Sequence, residues 1–195
     1  MVAELKEDHV HSTGGALCLE FTNTTSARQT DAPSEQLHSY ADLLTWAQKE
    51  EVVSPALAAR LADVAEAQPS EAATALQQAL VLREAIYAIF NAHVAGNAPA
   101  DADLALLNAA LAASLPHRQL VCTAEGFGWQ WEEAPNALAQ MLWPVVRSAA
   151  DLLTSPDLSR VRQCAGAICD WLFIDHSKNR SRRWCDMQEL SLIHI

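Results

Sequence analysis

The chain has 195 residues, of which 24 are acidic and 13 are basic, so its formal net charge is −11. This length suits one domain, or a moderate domain with a small appendage. No run reaches the roughly 18 consecutive apolar residues of a membrane span, and the first residues lack the basic-then-apolar order of a signal peptide. These features argue against a membrane protein and predict a cytoplasmic location.

The charge is distributed unevenly along the sequence. Residues 160–183 carry six basic and two acidic side chains, for a net charge of +4, whereas the rest of the chain has a net charge of −15. An acidic body repels phosphate backbones, so it would not bind nucleic acid by itself. We therefore expect any contact with DNA to be made by the basic C-terminal segment.

The N-terminal part reads as one strand followed by several helices. Residues 16–21 alternate between apolar and less apolar positions, which predicts a half-buried strand. Periodic apolar positions then predict helices. These helices are expected from residue 36, from a Ser54 cap to Gln68, from about Ser70 to Val94, and from an Asp101 cap to a point before Pro116.

Residues 118–132 contain two alternating runs around a glycine-containing turn, which predicts a β-hairpin. We expect this hairpin to pair with the strand at 16–21. Pro135 is then predicted to open a long helix with a kink at Pro144. The resulting fold class is α+β: a mostly α-helical N-terminal domain with a small antiparallel sheet, followed by a small segment that contains three cysteines.

Those three cysteines, Cys164, Cys169 and Cys185, predict a metal site. Five cysteines are present in all, and clustering in a reducing compartment favours metal binding over disulfides. Two close thiols, fifteen intervening residues and a third thiol suit tetrahedral Zn²⁺. His194, His176 or water could supply the fourth ligand. Cys18 and Cys122 lie in apolar surroundings and are expected to be core residues.

Cations and tryptophans surround the thiols and suggest a surface for a polyanion. The expected phosphate contacts are Lys178, Arg180, Arg182 and Arg183, while Trp184 could stack on a base or belong to the local core. One alternative is that this segment docks a partner protein. A second alternative is that the three thiols do not form a common site and only happen to lie near a basic face. A third is that a zinc ion with an open coordination position is catalytic. No enzyme motif supports catalysis, so we expect that the protein is not an enzyme.

A small-molecule site in the N-terminal part is a further alternative. Glu20, Asn23, Arg28 and Arg83 could converge where the predicted strand meets the helices, and paired tryptophans at 129 and 131 could wall a pocket. Each residue also has a structural explanation, as a turn former, an ion-pair member or a core side chain. Glu20, Asn23 and Arg83 are therefore speculative ligand contacts.

Residues 162–187 read Arg-x-Cys-x4-Cys-x-Trp-Leu-Phe-x-Asp-x-Ser-x-Asn-x-Ser-Arg-Arg-Trp-Cys-x-Met, which resembles the CGNR-type zinc finger of bacterial regulators. The preceding part resembles the ABATE domain, in the stretches 17–24, 82–87, 129–131 and 142–153. The resemblance implies an ABATE-like domain at 14–155 and a finger at 160–189. It also implies a zinc-dependent, DNA-binding stress regulator whose N-terminal domain senses a ligand or forms a homodimer.

The sequence departs from the family pattern after Glu189. A fourth zinc-binding cysteine within Cys-Gly-Asn-Arg, followed by a basic tail, would be expected there, but Leu190-Ser-Leu-Ile-His-Ile195 stands in its place. The same hexapeptide is encoded by a common sequencing adapter. We therefore expect residues 190–195 to be a non-native tail, the finger to be truncated, and DNA binding by this chain to be weakened.

Overall fold

A computed structural model describes residues 14–124, 126–134 and 136–185. The described helices are α1 (Leu17–Thr22), α2 (Tyr40–Lys49), α3 (Pro55–Ala67), α4 (Pro69–Val94), α5 (Asp101–Ser114) and α6 (Leu142–Leu153). The described strands are β1 (Thr25–Ser26), β2 (Ser34–Glu35), β3 (Arg118–Thr123), β4 (Gly126–Trp131), β5 (Val161–Gln163) and β6 (Leu172–Ile174). Short 3₁₀ turns follow α5 and α6, at Leu115–His117 and Pro156–Arg160.

The described strands form three antiparallel pairs, β1 with β2, β3 with β4, and β5 with β6. The prediction of a mostly helical α+β fold with small antiparallel sheets is therefore confirmed. Within the described ranges no helix is long and apolar enough to cross a membrane.

Helix α4 is the centre of the fold. It contacts α1, α2, α3 and α5 as well as both strands of the C-terminal pair. Its 26 residues make it about 39 Å long, at 1.5 Å per residue, so one helix can reach all of these elements. The same helix thus supports both the body and the segment that contains the clustered cysteines.

The predicted strand at 16–21 is wrong, because these residues form the short helix α1. Cys18, Leu19, Phe21 and Thr22 are all buried in it. A short apolar run that is buried on several sides shows no clear helical period, so alternation alone could not distinguish the two structures. The β3–β4 hairpin consequently has no third strand at 16–21.

The helix boundaries were predicted with mixed success. Ser54 caps α3 as expected, accepting a hydrogen bond from the Leu57 N–H at 3.1 Å. Asp101 is instead the first residue of α5, after Ala100, which makes no side-chain cap. Helix α6 begins at Leu142 rather than at residue 135, so Pro144 falls in its first turn, where backbone N–H groups lack helical partners. The expected mid-helix kink is therefore wrong.

Cys18 is fully buried, as expected for a core residue, but Cys122 is exposed. The reason is the orientation of the hairpin, whose apolar face points to solvent. Leu120, Phe127 and Trp129 on that face are 60%, 79% and 63% exposed. The prediction that Cys122 is a core residue is therefore wrong.

Candidate metal centre

Three cysteine sulfurs converge beside the β5–β6 pair. Cys164 directly follows β5, Cys169 lies in the loop that leads to β6, and Cys185 is brought back from beyond β6. The three sulfurs all lie within 4.8 Å of one another, and Cys169 Sγ is 3.6 Å from Cys185 Sγ. A disulfide would need about 2.05 Å, so these are free thiols placed as a cluster.

The spacing of the sulfurs fits a tetrahedral zinc ion. Zn–S bonds of about 2.3 Å at tetrahedral angles place neighbouring sulfurs about 3.8 Å apart. The observed separation of 3.6 Å between Cys169 and Cys185 is close to that value, and the 4.8 Å limit leaves only a small adjustment for the third sulfur. Thiolate sulfur is also a preferred zinc ligand, so the residues present fit this metal.

The local backbone prepares one thiol for deprotonation. Burial raises the pKa of Cys164, but backbone N–H groups of Cys185 and Gly166 donate to its sulfur, and together with the neighbouring thiols they hold its pKa below the ordinary value. Burial raises the pKa of Cys169 and of Cys185, and a thiolate at Cys164 raises both further. A divalent cation would remove this mutual repulsion, because it stabilises all three thiolates at once.

There is little room for a side chain at Gly166, in the turn between the first two cysteines. A Cβ added at Gly166 would lie 3.0 Å from the Cβ of Cys169 and 3.6 Å from the sulfur of Cys164. The chain there runs so close to the ligands that a side chain would press on them. Gly166 thus lets the backbone pass close to two of the clustered cysteines.

The strand pair fixes the first ligand relative to the last. In the β5–β6 register Val161 faces Ile174 and Gln163 faces Leu172, and the Cys164 N–H then continues the ladder to Trp171 O at 2.8 Å. Phe173 is fully buried against Cys164 and Cys185. A small apolar cluster therefore backs the thiols from the side of β6.

Arg182 braces the segment that carries Cys185. Its Nε donates to Trp184 O at 2.9 Å, its Nη2 donates to Cys185 O, and its guanidinium lies 4.6 Å from the centroid of the Phe173 ring. Its backbone N–H donates to Asp175 Oδ2 at 3.0 Å. Arg182 was predicted as a phosphate contact; these bonds give it a structural role, and nucleic-acid binding by this residue stays a prediction.

Asp175 is fully buried and organises the same turn. It accepts hydrogen bonds from the N–H groups of Ser177 and Arg182. Burial raises the pKa of Asp175, but these bonds outweigh it and hold the pKa below the ordinary value. The carboxylate is thus ionised and occupied by the backbone, which suits a structural group better than a general base.

We expect Arg182→Lys to weaken zinc binding by roughly 10-fold, the lower end of losses seen when groups behind metal ligands are changed. Lysine keeps the charge but cannot make the forked pair of bonds to Trp184 and Cys185. Competition with a chromophoric chelator would measure the zinc dissociation constant. Arg183→Lys is the matched control, because Arg183 is exposed; equal effects of both changes would contradict the bracing role.

The other predicted phosphate contacts lie on the surface. Lys178 and Arg180 occupy an exposed turn that is closed by the Arg180 N–H donating to Ser177 O, and Arg180 has a positive φ of 51°. Residues 177–180 therefore form a tight non-helical turn. Arg183 is also exposed, with its guanidinium 5.3 Å from the ring centroid of Trp184, which is half-buried.

The metal-binding segment is joined to the body by buried polar contacts. The Asn23 side chain donates to Leu172 O and accepts from Leu172 N, both at 2.9 Å, and so completes one edge of β6. Arg28 pairs with Asp170, the residue after the second cysteine, at 3.1 Å. Trp171 Nε1 donates to Thr25 O at 3.0 Å. Local sequence patterns contain no sign of these contacts, because their members are 142 to 149 residues apart.

The residues proposed as speculative ligand contacts all have partners within the protein. Glu20 accepts from the N–H groups of Gly14 and Gly15, and Asn23 binds β6. Arg83 is 4% exposed and forms a two-pronged pair with Glu35, each bond 2.7 Å long. Five cavities found in the described part of the chain are lined by other residues. A ligand role for these three residues stays a prediction without structural support.

Among the described residues, the cluster of possible metal ligands consists of the three cysteines and includes no fourth side chain. Of the candidates, His176 belongs to the described residues but is not part of the cluster, which contains only the three cysteines there. His194 and the proposed non-native tail at 190–195 lie outside the described residues. The predicted ligands Cys164, Cys169 and Cys185 are brought together as the spacing suggested.

Two family models match the chain, and together they account for most of it. Residues 15–156 match the ABATE model, which is described as "Putative stress-induced transcription regulator". Residues 160–189 match the CGNR zinc finger model, and they include all three clustered cysteines. No curated protein matches the chain. The chain therefore belongs to the ABATE family and carries a CGNR zinc finger in residues 160–189.

Proposed function

We propose that this protein is a transcriptional regulator whose zinc-stabilised finger binds the DNA backbone in the cytoplasm. The observation that carries the proposal is the placement of exposed Lys178, Arg180 and Arg183 on the turn between β6 and the third zinc-binding cysteine. Zinc would hold both ends of this turn through the three cysteines. A turn held in this way presents its cations with little loss of conformational freedom on binding.

The metal in this proposal is structural, and the protein is not an enzyme. Cys164 and Cys185 are each 9% exposed, and Phe173 packs against them, so access to the metal is restricted. The segment has little apolar core of its own beyond these residues. Zinc binding would therefore supply much of its folding free energy.

The acidic body serves regulation rather than DNA contact. Its negative charge would repel phosphates, which leaves the basic turn as the DNA-facing surface. The body is joined to the finger through Asn23 and Arg28, so a change in the body that moves α1 or the loop after it would move β6 and the loop that carries Cys169. These contacts could transmit the binding of a ligand or partner from the body to the finger.

Salt-dependent DNA binding tests this function. Each lost phosphate contact lowers the slope of log affinity against log salt by about 0.9, so Lys178→Ala with Arg180→Ala should reduce it by about 2 and weaken binding at low salt. Fluorescence anisotropy on zinc-loaded protein with genomic DNA fragments would measure both. Arg60→Ala with Arg147→Ala is the matched control, because both arginines are exposed on helices of the body.

Two results would contradict the proposal: an unchanged slope in the Lys178/Arg180 variant, or DNA affinity that survives full removal of zinc by a chelator. Unchanged binding in the Arg60/Arg147 control is also required. A loss in that control would mean that the body, and not the finger, makes the contact.

A second candidate function is protein docking by the finger. Ile168 directly precedes the second cysteine of the cluster and is 72% exposed, so the finger presents an aliphatic side chain that a partner could cover. Ile168→Ser should weaken capture of a partner regulator and leave DNA affinity unchanged. If the finger binds DNA, substitutions in the basic turn should weaken the DNA complex in a gel-shift experiment. If the finger docks a protein, the same substitutions should weaken only the protein complex.

A further inference from the structure

The β3–β4 hairpin has one apolar face and one polar face. Its register pairs Leu120 with Trp129 and Cys122 with Phe127, so these four side chains share a face. Gln119, Val121, Thr123 and Gln130 lie on the other face, where three of these four side chains are polar. This alternation is typical of a sheet with one face buried.

The body leaves the apolar face uncovered. The hairpin is attached at its base, where Trp131 packs 6.1 Å from Trp143 between ring centroids and the Glu132 N–H donates to His117 O. Further out, Leu120, Phe127 and Trp129 are 60%, 79% and 63% exposed. A two-stranded sheet with an open apolar face is marginally stable in water, so covering that face would stabilise the hairpin.

The charges on the hairpin indicate what covers it. In a chain of net charge −11, the strands β3 and β4 carry one charged side chain, Arg118, which lies over Trp129 and Trp131. A basic partner would find no carboxylate on these strands. Two copies of the acidic chain, which repel each other elsewhere, can approach at this face, because its strands carry no negative charge.

In a dimer with two-fold symmetry, the apolar face of one hairpin would pack against the same face of the other copy. In an antiparallel arrangement the base of one hairpin meets the outer end of the other, which places the two Arg118 side chains about 20 Å apart, the length of a six-residue strand. That separation is about twice the Debye length in ordinary buffer, so their repulsion is screened. The aromatic side chains of the two copies then meet near the centre.

We propose that the apolar face of the β3–β4 hairpin is a homodimer interface that covers Leu120, Phe127 and Trp129. With aromatic side chains of about 150–250 Å² each, the three exposed side chains offer roughly 400 Å² per copy. About 800 Å² in total is below the roughly 1,200 Å² at which stable specific interfaces begin, so the dimer should be weak, transient and dependent on concentration. The inference does not rest on DNA binding and can be tested without DNA.

Sedimentation equilibrium of the intact chain, from low to several hundred micromolar, tests the interface. The average mass should rise from one chain towards two, and Phe127→Glu should remain at one chain throughout. Phe127 is 79% exposed, so this change should leave the midpoint of urea unfolding at low protein concentration unchanged. Leu106→Glu, at a 42% exposed leucine on α5, is the matched control and should dimerise normally.

Cys122 provides a second measurement that does not depend on a substitution. Its alkylation rate, followed by peptide mass spectrometry, should fall as the protein concentration rises, and in Phe127→Glu it should not vary. A wild-type mass of one chain at every concentration would overturn the proposal. So would a dimer that Leu106→Glu abolishes and Phe127→Glu does not, or a Cys122 rate that is independent of concentration.

Discussion

Arg28→Met is expected to lower the free energy of unfolding by about 3–5 kcal/mol, the range for breaking a buried ion pair by removing one partner. The Arg28 and Asp170 side chains are each 11% exposed, so water screens their pair poorly. The guanidinium also donates to Thr22 O at 2.5 Å and lies 3.8 Å from the centroid of the Tyr87 ring. The Arg28–Glu84 pair adds less, because Glu84 is 46% exposed.

The loss should be concentrated at the joint between body and finger. Methionine leaves the Asp170 carboxylate buried without its cation, next to Cys169 of the cysteine cluster. The Arg28 N–H to Asp170 Oδ2 bond, at 2.8 Å, is a backbone contact and can survive the change. The free energy of unfolding of Arg28→Lys should lie between those of the wild type and Arg28→Met, because lysine keeps the charge but loses the forked geometry of the guanidinium.

Urea unfolding followed by circular dichroism would measure this effect on zinc-loaded protein. Arg147→Met is the matched control: Arg147 pairs with Asp151 on the surface of α6, and the two side chains are 41% and 55% exposed. Loss of this exposed ion pair should lower the free energy of unfolding by less than about 0.5 kcal/mol. A cost below about 1 kcal/mol for Arg28→Met would show that the joint does not depend on this arginine.

Cys164→Ser is expected to weaken zinc binding by about 100-fold or more. This loss should be larger than the loss from changing a residue that supports a ligand without contacting the metal, which is about 10- to 100-fold. Cys164 is the thiol whose pKa is held low by backbone N–H donors, so it is the ligand best prepared to bind as thiolate. A serine hydroxyl does not ionise at neutral pH and is a poor zinc ligand. The helices of the body should persist, because their core lies around α4.

Zinc content by mass spectrometry and competition with a chelator would measure this loss. Cys122→Ser is the matched control, since Cys122 is a free thiol on the hairpin and lies outside the cluster. Zinc retained by Cys164→Ser at wild-type affinity would contradict the three-cysteine site. Equal losses in both variants would point to general unfolding instead.

Periodicity located most of the long helices but misassigned the short elements. Helices α3 and α4 were predicted within a few residues, because proline and a serine cap mark their starts and their apolar positions repeat over many turns. Helix α1 has only six residues, four of them buried, so its period could not be read. The hairpin was predicted correctly as two strands, but not the direction of its apolar face.

The metal centre was predicted largely from sequence, and its surroundings were not. Spacing identified Cys164, Cys169 and Cys185, because a tetrahedral zinc site takes its thiolates from two short segments that are near each other in sequence. The separate roles of Arg182 and its neighbours depend on which side chain faces Phe173, and the charge pattern does not contain that information.

Composition, periodicity and motif spacing were enough to predict an acidic helical body, a basic segment with three clustered cysteines, and the family resemblance. Tertiary structure alone decided how the two parts are joined, through Asn23 with Leu172 and Arg28 with Asp170. The two kinds of feature differ in the sequence separation of the residues that form them. Helical period and ligand spacing are local properties, whereas a buried hydrogen bond between residues 142 or more apart exists only once the packing of the whole chain has brought them together.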